Sequence, residues 1–231
     1  MKQLPLGVRV RERSVFESFF AGPNAAAVAL CQALAAGTQP GVLWLWGPAG
    51  CGKTHLLQAA CAQAGNAREA VYLPLAQLAQ LGAGALEGWP TAACLCLDDI
   101  ESVLGGLEWE AALFRLYREI EERGASLLVA ASAPPALLAF ALPDLGSRFA
   151  AAAVFQLRAL DELQQREALR LRAQLRGLEL PEETALYLQR RFRRDMKTLY
   201  DLLDALDEAA LAAQRRLTVP FIREALAQTR V

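Results

Sequence analysis

The segment GPAGCGKT, residues 47–54, constrains this chain more than any other stretch. It follows the apolar run GVLWLW (41–46) and precedes a helix predicted over Thr54–Gly65. Glycines at a strand-to-helix turn let successive backbone N–H groups face a phosphate, and the helix N-terminus adds its positive end. The pattern therefore predicts a P-loop that holds the phosphates of a nucleoside triphosphate. A chance glycine-rich turn is the alternative, and the strand and helix around the loop argue against it.

The parts of the loop have separate expected roles. Lys53 is expected to reach the β- and γ-phosphates, and the Thr54 hydroxyl is expected to ligate Mg²⁺. The residues expected to contact the nucleotide are Gly47, Pro48, Ala49, Gly50, Cys51, Gly52, Lys53, Thr54 and His55.

Polar residues also end two later apolar runs. Asp98 and Asp99 end AACLCLDD (92–99), where an open parallel sheet binds its ligand. Asp98 is expected to hold Mg²⁺ as a Walker B carboxylate does, and Asp99 to orient or deprotonate an attacking water. Ser132 ends the next run and could contact the γ-phosphate or that water. A helix cap for the acids and a turn before two prolines for Ser132 are the alternatives.

The apolar runs define the fold class. Besides 41–46 and 92–99 they are VYLPL (71–75), ASLLVAAS (125–132) and AAVFQL (152–157), and they alternate with predicted helices. This predicts an α/β fold: a P-loop NTPase core with a parallel five-stranded sheet over residues 15–160. Only helical signals follow, which predicts an all-helical lid domain over 161–231. Residues 1–14 form an N-terminal tail.

Composition narrows the class of protein. A net charge of -1 argues against a long DNA footprint, and no apolar run reaches membrane-spanning length. An odd number of cysteines, five, fits a reducing cytosol and a cytoplasmic protein. Cys94 and Cys96 are predicted to be buried and structural. Trp44 and Trp46, two apart, are predicted to lie on one face of the sheet in the core.

Several segments together resemble the AAA+ ATPases, in the branch of the bacterial replication initiator DnaA. They are FESFFAGPNAAAVAL (16–30), GPAGCGKT (47–54), CLCLDDIE (94–101), LPDLGSRF (142–149), LRAQLRGLELPEE (171–183) and residues 194–226. The whole chain is most similar to the regulatory inactivators of DnaA within this branch. The resemblance implies a bacterial, nucleoid- or replisome-associated negative regulator of replication initiation. Its own ATPase would be weak or absent.

The resemblance also assigns residues, and it implies that the loop 47–54 binds ADP or ATP. Arg148 matches an arginine finger that acts in trans on the ATP held by DnaA. Lys197 matches a sensor position where the family usually has Arg, and Lys keeps the charge without the planar fork. Ser132 stands where relatives have Asn or Asp. The tail residues Gln3, Leu4 and Leu6 are similar to a QL-x-L peptide that docks on the β sliding clamp of DNA polymerase III.

The parts with which an initiator grips DNA are not found in the sequence. The chain ends at Val231, directly after the predicted lid, without a helix-turn-helix domain, and residues 76–90 leave room for about one short helix. DNA contact is therefore expected only indirectly, through the clamp. The basic cluster in QRRFRRDMK (189–197) is either a solvated helix end or a surface for DNA or an acidic partner. The chain could be a monomer or a homodimer.

Other function classes stay open at this point. A DNA-remodelling initiator or helicase loader would use its own ATP cycle and bind DNA without the clamp. A free-standing kinase or ATPase for a small molecule would turn over ATP alone, but it leaves LPDLGSRF unexplained. A clamp-loader subunit would normally carry a further oligomerisation domain.

Overall fold

The computed structural model describes residues 14–65, 69–89, 91–192, 196–213 and 217–228. The tail residues Gln3, Leu4 and Leu6 lie outside these ranges. The chain divides into two compact units, the first ending at Arg158 and the second beginning at Ala159. None of the helices in the described ranges is long and apolar enough to cross a membrane.

The first unit is built on one sheet of five strands, which pair in parallel in the order β2-β3-β4-β1-β5. The strands are β1 (Val42–Trp46), β2 (Ala70–Pro74), β3 (Cys94–Asp98), β4 (Ser126–Ala131) and β5 (Ala153–Gln156). The predicted five-stranded parallel sheet is confirmed. Because all strands point the same way, their carboxyl ends meet at one edge of the sheet.

Helices cover both faces of this sheet. They are α1 (Ala25–Ala36), α2 (Lys53–Gly65), α3 (Leu75–Leu78), α4 (Leu107–Glu122) and α5 (Pro143–Ala151). Because successive side chains of a strand point to opposite faces of the sheet, the first unit has two hydrophobic cores, one on each face. Trp44 is fully buried on the face that packs against α4 and α5, with Trp46 half-buried beside it, as predicted. Cys94 and Cys96 are fully buried on the other face, against α1 and α2, also as predicted.

The second unit is helical in its described part, as predicted. Its helices are α6 (Glu162–Leu175), α7 (Glu182–Arg191), α8 (Met196–Ala213) and α9 (Val219–Gln228). Asp161 begins α6 with a reciprocal cap: its side chain accepts the N–H of Gln164 at 2.9 Å, and the Gln164 side chain accepts that of Asp161 at 3.1 Å. Apolar side chains from all four helices form the core, including Leu169, Leu188, Leu199 and Phe221.

Candidate nucleotide-binding site

The glycine-rich loop connects β1 to α2 at the carboxyl edge of the sheet. Gly50 and Gly52 have positive φ values of 78° and 100°, a conformation that glycine adopts without strain. Lys53 folds back over the loop, and its ammonium donates to the carbonyls of Gly47 at 2.8 Å and Pro48 at 3.2 Å. Thr54, in the first turn of α2, is exposed. The loop therefore presents backbone, an ammonium group and a hydroxyl group at one place.

An aromatic ring packs directly on the second half of the loop. A Cβ added at Gly52 would lie 2.5 Å from Cε2 of Phe19, whereas one added at Gly50 would meet no atom of the described residues within 4 Å. The Phe19 ring also packs against His55, with ring centroids 5.4 Å apart. The segment that precedes α1 thus closes one side of the loop.

Gly52→Ala should destabilise the first unit more than Gly50→Ala. Both substitutions place an L-residue at positive φ, which costs about 1 kcal/mol, but only the first adds a clash with Phe19. We expect Gly52→Ala to lower the free energy of unfolding by about 3 kcal/mol and Gly50→Ala by about 1 kcal/mol, measured by urea denaturation. Phe19→Leu should recover part of the difference in the Gly52→Ala background. Equal losses at the two glycines would contradict the proposed contact.

His55, predicted from the sequence to contact nucleotide, faces the segment before α1 in this structure. Its Nε2 lies 3.0 Å from the carbonyl oxygen of Val15 and 3.3 Å from the hydroxyl of Ser18. On the same helix, Gln58 accepts a hydrogen bond of 2.8 Å from Ser14. These contacts fix the segment carrying Phe19 to the helix that follows the loop.

The two predicted acids differ in environment. Asp98 ends β3, is 2% exposed, and accepts hydrogen bonds from the Tyr72 hydroxyl at 2.7 Å and the Asp99 N–H at 3.2 Å. Asp99 is exposed, and its backbone adopts the left-handed conformation, with φ 55° and ψ 48°. It is the only non-glycine residue with positive φ in the described ranges. Partial burial raises the pKa of Asp99, as do the charges of Asp98 and then Glu101, while Lys53 opposes the rise. The pKa of Asp99 therefore depends both on the carboxylates of Asp98 and Glu101 and on the ammonium group of Lys53.

Glu101 is a site residue that sequence reasoning missed. Its Oε1 accepts the N–H of Ser132 at 2.9 Å, which ties the end of β3 to the end of β4. Its Oε2 is buried and has no hydrogen-bond partner within the described ranges. Carboxylate and hydroxyl oxygens are the donors that Mg²⁺ prefers, so the residues at this edge fit a magnesium ion. Asp98 and Thr54 would hold it, with Glu101 nearby.

The strand order explains why these residues meet. β4 lies between β3 and β1. Asp98 ends β3, Ser132 follows β4 and Gly47 follows β1, so the three residues lie at the ends of adjacent strands at the carboxyl edge. The Ser132 side chain is exposed there. The structure thus brings together the loop, Asp98, Asp99 and Ser132.

Arg148 is not part of this group. It lies on α5, five residues before β5 begins, and its guanidinium pairs with Glu121 of α4 at 2.8 Å. Both side chains shortly precede strands, and therefore lie toward the amino edge of the sheet, opposite the phosphate loop. The guanidinium carbon also lies 5.3 Å and 5.5 Å from the ring centroids of Phe114 and Tyr117. Arg148 is thus held at a separate, half-exposed place.

The remaining predicted residues lie in the second unit or outside the described ranges. Lys197 is exposed in the first turn of α8, and Arg190 and Arg191 are exposed at the end of α7. Arg193 and Arg194 of the basic cluster lie outside the described residues.

Comparisons with known proteins agree with this arrangement. A family model described as bacterial DnaA ATPase domain matches residues 10–76, and one described as Hda, lid domain matches residues 161–226. Domain III of the Thermotoga maritima initiator DnaA superposes with a TM-score of 0.74 at 22% identity, over 94% of this chain and 97% of that one.

Two further structures share the fold at low identity. AMPPCP-bound DnaA from Aquifex aeolicus has a TM-score of 0.70 at 22% identity, over 85% of this chain and 66% of that one. The Thermotoga maritima RuvB Holliday junction branch migration motor has a TM-score of 0.60 at 18% identity, over 94% of this chain and 72% of that one. The sheet, the phosphate loop and the helical unit define an AAA+ ATPase fold. Given the two family models, the chain is an Hda-like protein of the DnaA branch of that family.

Proposed function

We propose that this chain is a nucleotide-dependent negative regulator of chromosomal replication initiation. With the DNA-loaded β sliding clamp, it stimulates hydrolysis of the ATP held by DnaA and converts the initiator to its inactive ADP form. The observation that carries the proposal is the position of Arg148, which lies on the edge of the sheet away from the chain's own phosphate loop. The match of residues 161–226 to the Hda lid supports it.

The chain's own loop is proposed to bind ADP or ATP. Relatives of the same fold have been solved with AMPPCP. Lys53 would release the carbonyls of Gly47 and Pro48 and turn its charge to the phosphates. Thr54 and Asp98 would hold Mg²⁺, which neutralises phosphate charge when bound. Asp99 and Ser132 would contact an attacking water, and the bound nucleotide would act mainly as a structural element.

Arg148 would supply the chemistry at the partner. Charge accumulates on the oxygens of a phosphoryl group as it is transferred, and a guanidinium group beside them lowers the barrier. A residue that cannot reach its own loop can do this only in trans. The half-exposed Arg148 side chain meets that requirement.

The tail is proposed to bring the chain to the clamp, because Gln3, Leu4 and Leu6 supply a polar and two apolar anchors for an extended peptide site. The test measures hydrolysis of labelled ATP pre-bound to DnaA, with and without clamp loaded on DNA. We expect wild-type protein to accelerate hydrolysis only with loaded clamp. The double substitution Gln3→Ala with Leu6→Ala should abolish the effect, and Val8→Ala with Val10→Ala in the same segment should not.

One result would reject the regulator proposal, and another would remove one part of it. Unchanged hydrolysis on DnaA, together with ATP turnover by the isolated protein, would favour a remodelling ATPase or a small-molecule enzyme. Acceleration without clamp, unaffected by the tail variant, would leave the arginine finger in place and remove the clamp from the proposal.

A further inference from the structure

Tyr72 is a polar side chain next to the candidate metal ligand. It lies on β2, at the edge of the sheet, and pairs in register with Cys96 of β3. Since paired residues share a face and side chains alternate along a strand, Tyr72 lies on the same face as Asp98, two residues beyond Cys96. Its hydroxyl donates to Oδ2 of Asp98 at 2.7 Å.

The phenol is the closer of two donors to a buried carboxylate. Asp98 is 2% exposed, and a buried charge is costly unless donors satisfy it. The Asp99 N–H donates to the other oxygen, Oδ1, at the longer distance of 3.2 Å. A short hydrogen bond to a charged acceptor is stronger than a hydrogen bond to a neutral acceptor. The bond from Tyr72 therefore fixes the rotation of the Asp98 carboxylate. Oδ2 therefore accepts the stronger hydrogen bond, from Tyr72, and Oδ1 accepts the weaker one, from the Asp99 N–H.

Tyr72 also interacts with the helix that follows the phosphate loop. Its hydroxyl lies within hydrogen-bonding reach of the Gln58 side chain. Gln58 lies on α2 and also accepts the Ser14 hydroxyl at 2.8 Å. The phenol thus interacts with a side chain on the helix that follows the phosphate loop.

We infer that Tyr72 is a positioning residue for the metal end of the nucleotide site: it orients Asp98 so that this acid can hold Mg²⁺ beside the phosphates. The inference rests on the proposed nucleotide-binding role of the loop. Groups that hydrogen-bond to a metal ligand typically contribute about ten- to a hundredfold in metal affinity.

The test uses the isolated 231-residue chain and a fluorescent ADP analogue. Nucleotide affinity is measured in EDTA and then in rising Mg²⁺ for wild type and Tyr72→Phe, which removes only the hydroxyl. The variant should need about tenfold or more Mg²⁺ for the half-maximal effect, with unchanged affinity in EDTA. Tyr187→Phe, on α7 of the second unit, is the matched control and should titrate as wild type.

A double variant separates positioning from support of the fold. Asp98→Asn should lose most of the Mg²⁺ dependence, and adding Tyr72→Phe should cause no further shift because the hydroxyl acts through the carboxylate. Two results would overturn this inference but leave the proposed nucleotide role standing. One is an equal loss of nucleotide affinity in EDTA and in Mg²⁺ for Tyr72→Phe, and the other is a Mg²⁺ titration of this variant that matches wild type. Failure of wild-type protein to bind the ADP analogue would overturn the proposed nucleotide role, and this inference with it.

Discussion

Replacing Arg148 by alanine is expected to slow the stimulated hydrolysis of DnaA-bound ATP by about 10³- to 10⁵-fold, the range over which arginine fingers act. Nucleotide binding by this chain should not change. Arg148 lies on α5, at the edge of the sheet opposite the loop of residues 47–54. The loss should therefore appear in the partner's hydrolysis rate, while affinity for the partner changes much less.

The resting contacts of Arg148 fit such a role. Its ion pair with Glu121 joins side chains that are 36% and 56% exposed, so the pair is worth at most about 1 kcal/mol. The rings of Phe114 and Tyr117 add a similarly weak attraction to the guanidinium. These contacts restrict the side chain without binding it tightly. A phosphate group of higher charge can therefore compete with Glu121 for the guanidinium at small cost.

Two variants serve as controls for the Arg148 prediction, measured in the same assay of labelled ATP on DnaA with loaded clamp. Arg148→Lys keeps the charge but loses the planar fork, so most of the activity should still be lost. Arg118→Ala removes an exposed arginine of α4 that pairs only weakly with Glu122, at 3.0 Å, and should act as wild type. Full activity of Arg148→Ala would exclude the arginine finger at this position. Equal losses at Arg148 and Arg118 would point to a general charge effect.

The sequence predicted those parts of the molecule that have local signatures. The P-loop needs only a short run of glycines ending in Lys53 and Thr54, and the apolar runs around it identify the strands. The acids at the end of the 92–99 run are visible for the same reason. The helical signals after residue 160 likewise predicted the helical second unit.

The residues that sequence reasoning missed depend on distant contacts. Tyr72 and Asp98 are 26 residues apart, and Glu101 meets Ser132 across 31 residues. A tyrosine in a strand or a glutamate after one carries no local sign of such a partner. His55 was predicted to contact the nucleotide from its position beside Thr54. Its ring lies beside Val15 and Ser18 in the structure, and the nucleotide contact stays a prediction.

Glu110 is a third residue of this kind, and one signal for it was available. It lies on the apolar stripe of α4 with Leu113, Tyr117 and Ile120, at a spacing that places it in the core. It is fully buried, and its carboxylate accepts three backbone N–H groups: Gly105 at 2.7 Å, Ala141 at 3.0 Å and Leu142 at 2.6 Å. An acidic residue at a core position of a helix thus indicates a buried carboxylate that accepts hydrogen bonds from nearby backbone N–H groups.

Glu110→Ala should lower the free energy of unfolding of the first unit by about 3–5 kcal/mol. It removes the acceptor of three N–H groups in two loops, and each donor left without a partner costs about 1–3 kcal/mol where water cannot replace it. Glu110→Gln keeps one acceptor oxygen and should lose about half as much. Urea denaturation followed by tryptophan fluorescence measures the effect on the first unit, which contains all four tryptophans.

Glu108→Ala is the matched control, since Glu108 is an exposed acid in the same first turn of α4. Both acids favour the positive helix end, so comparing the two variants cancels this effect and leaves the contribution of the buried, hydrogen-bonded carboxylate. Glu108→Ala should change stability by at most about 0.5 kcal/mol. Similar losses at the two positions would mean that the bonds to Glu110 contribute no net stability. Because Leu142 immediately precedes α5, the bond from its N–H also connects this buried carboxylate to the start of the helix that carries Arg148.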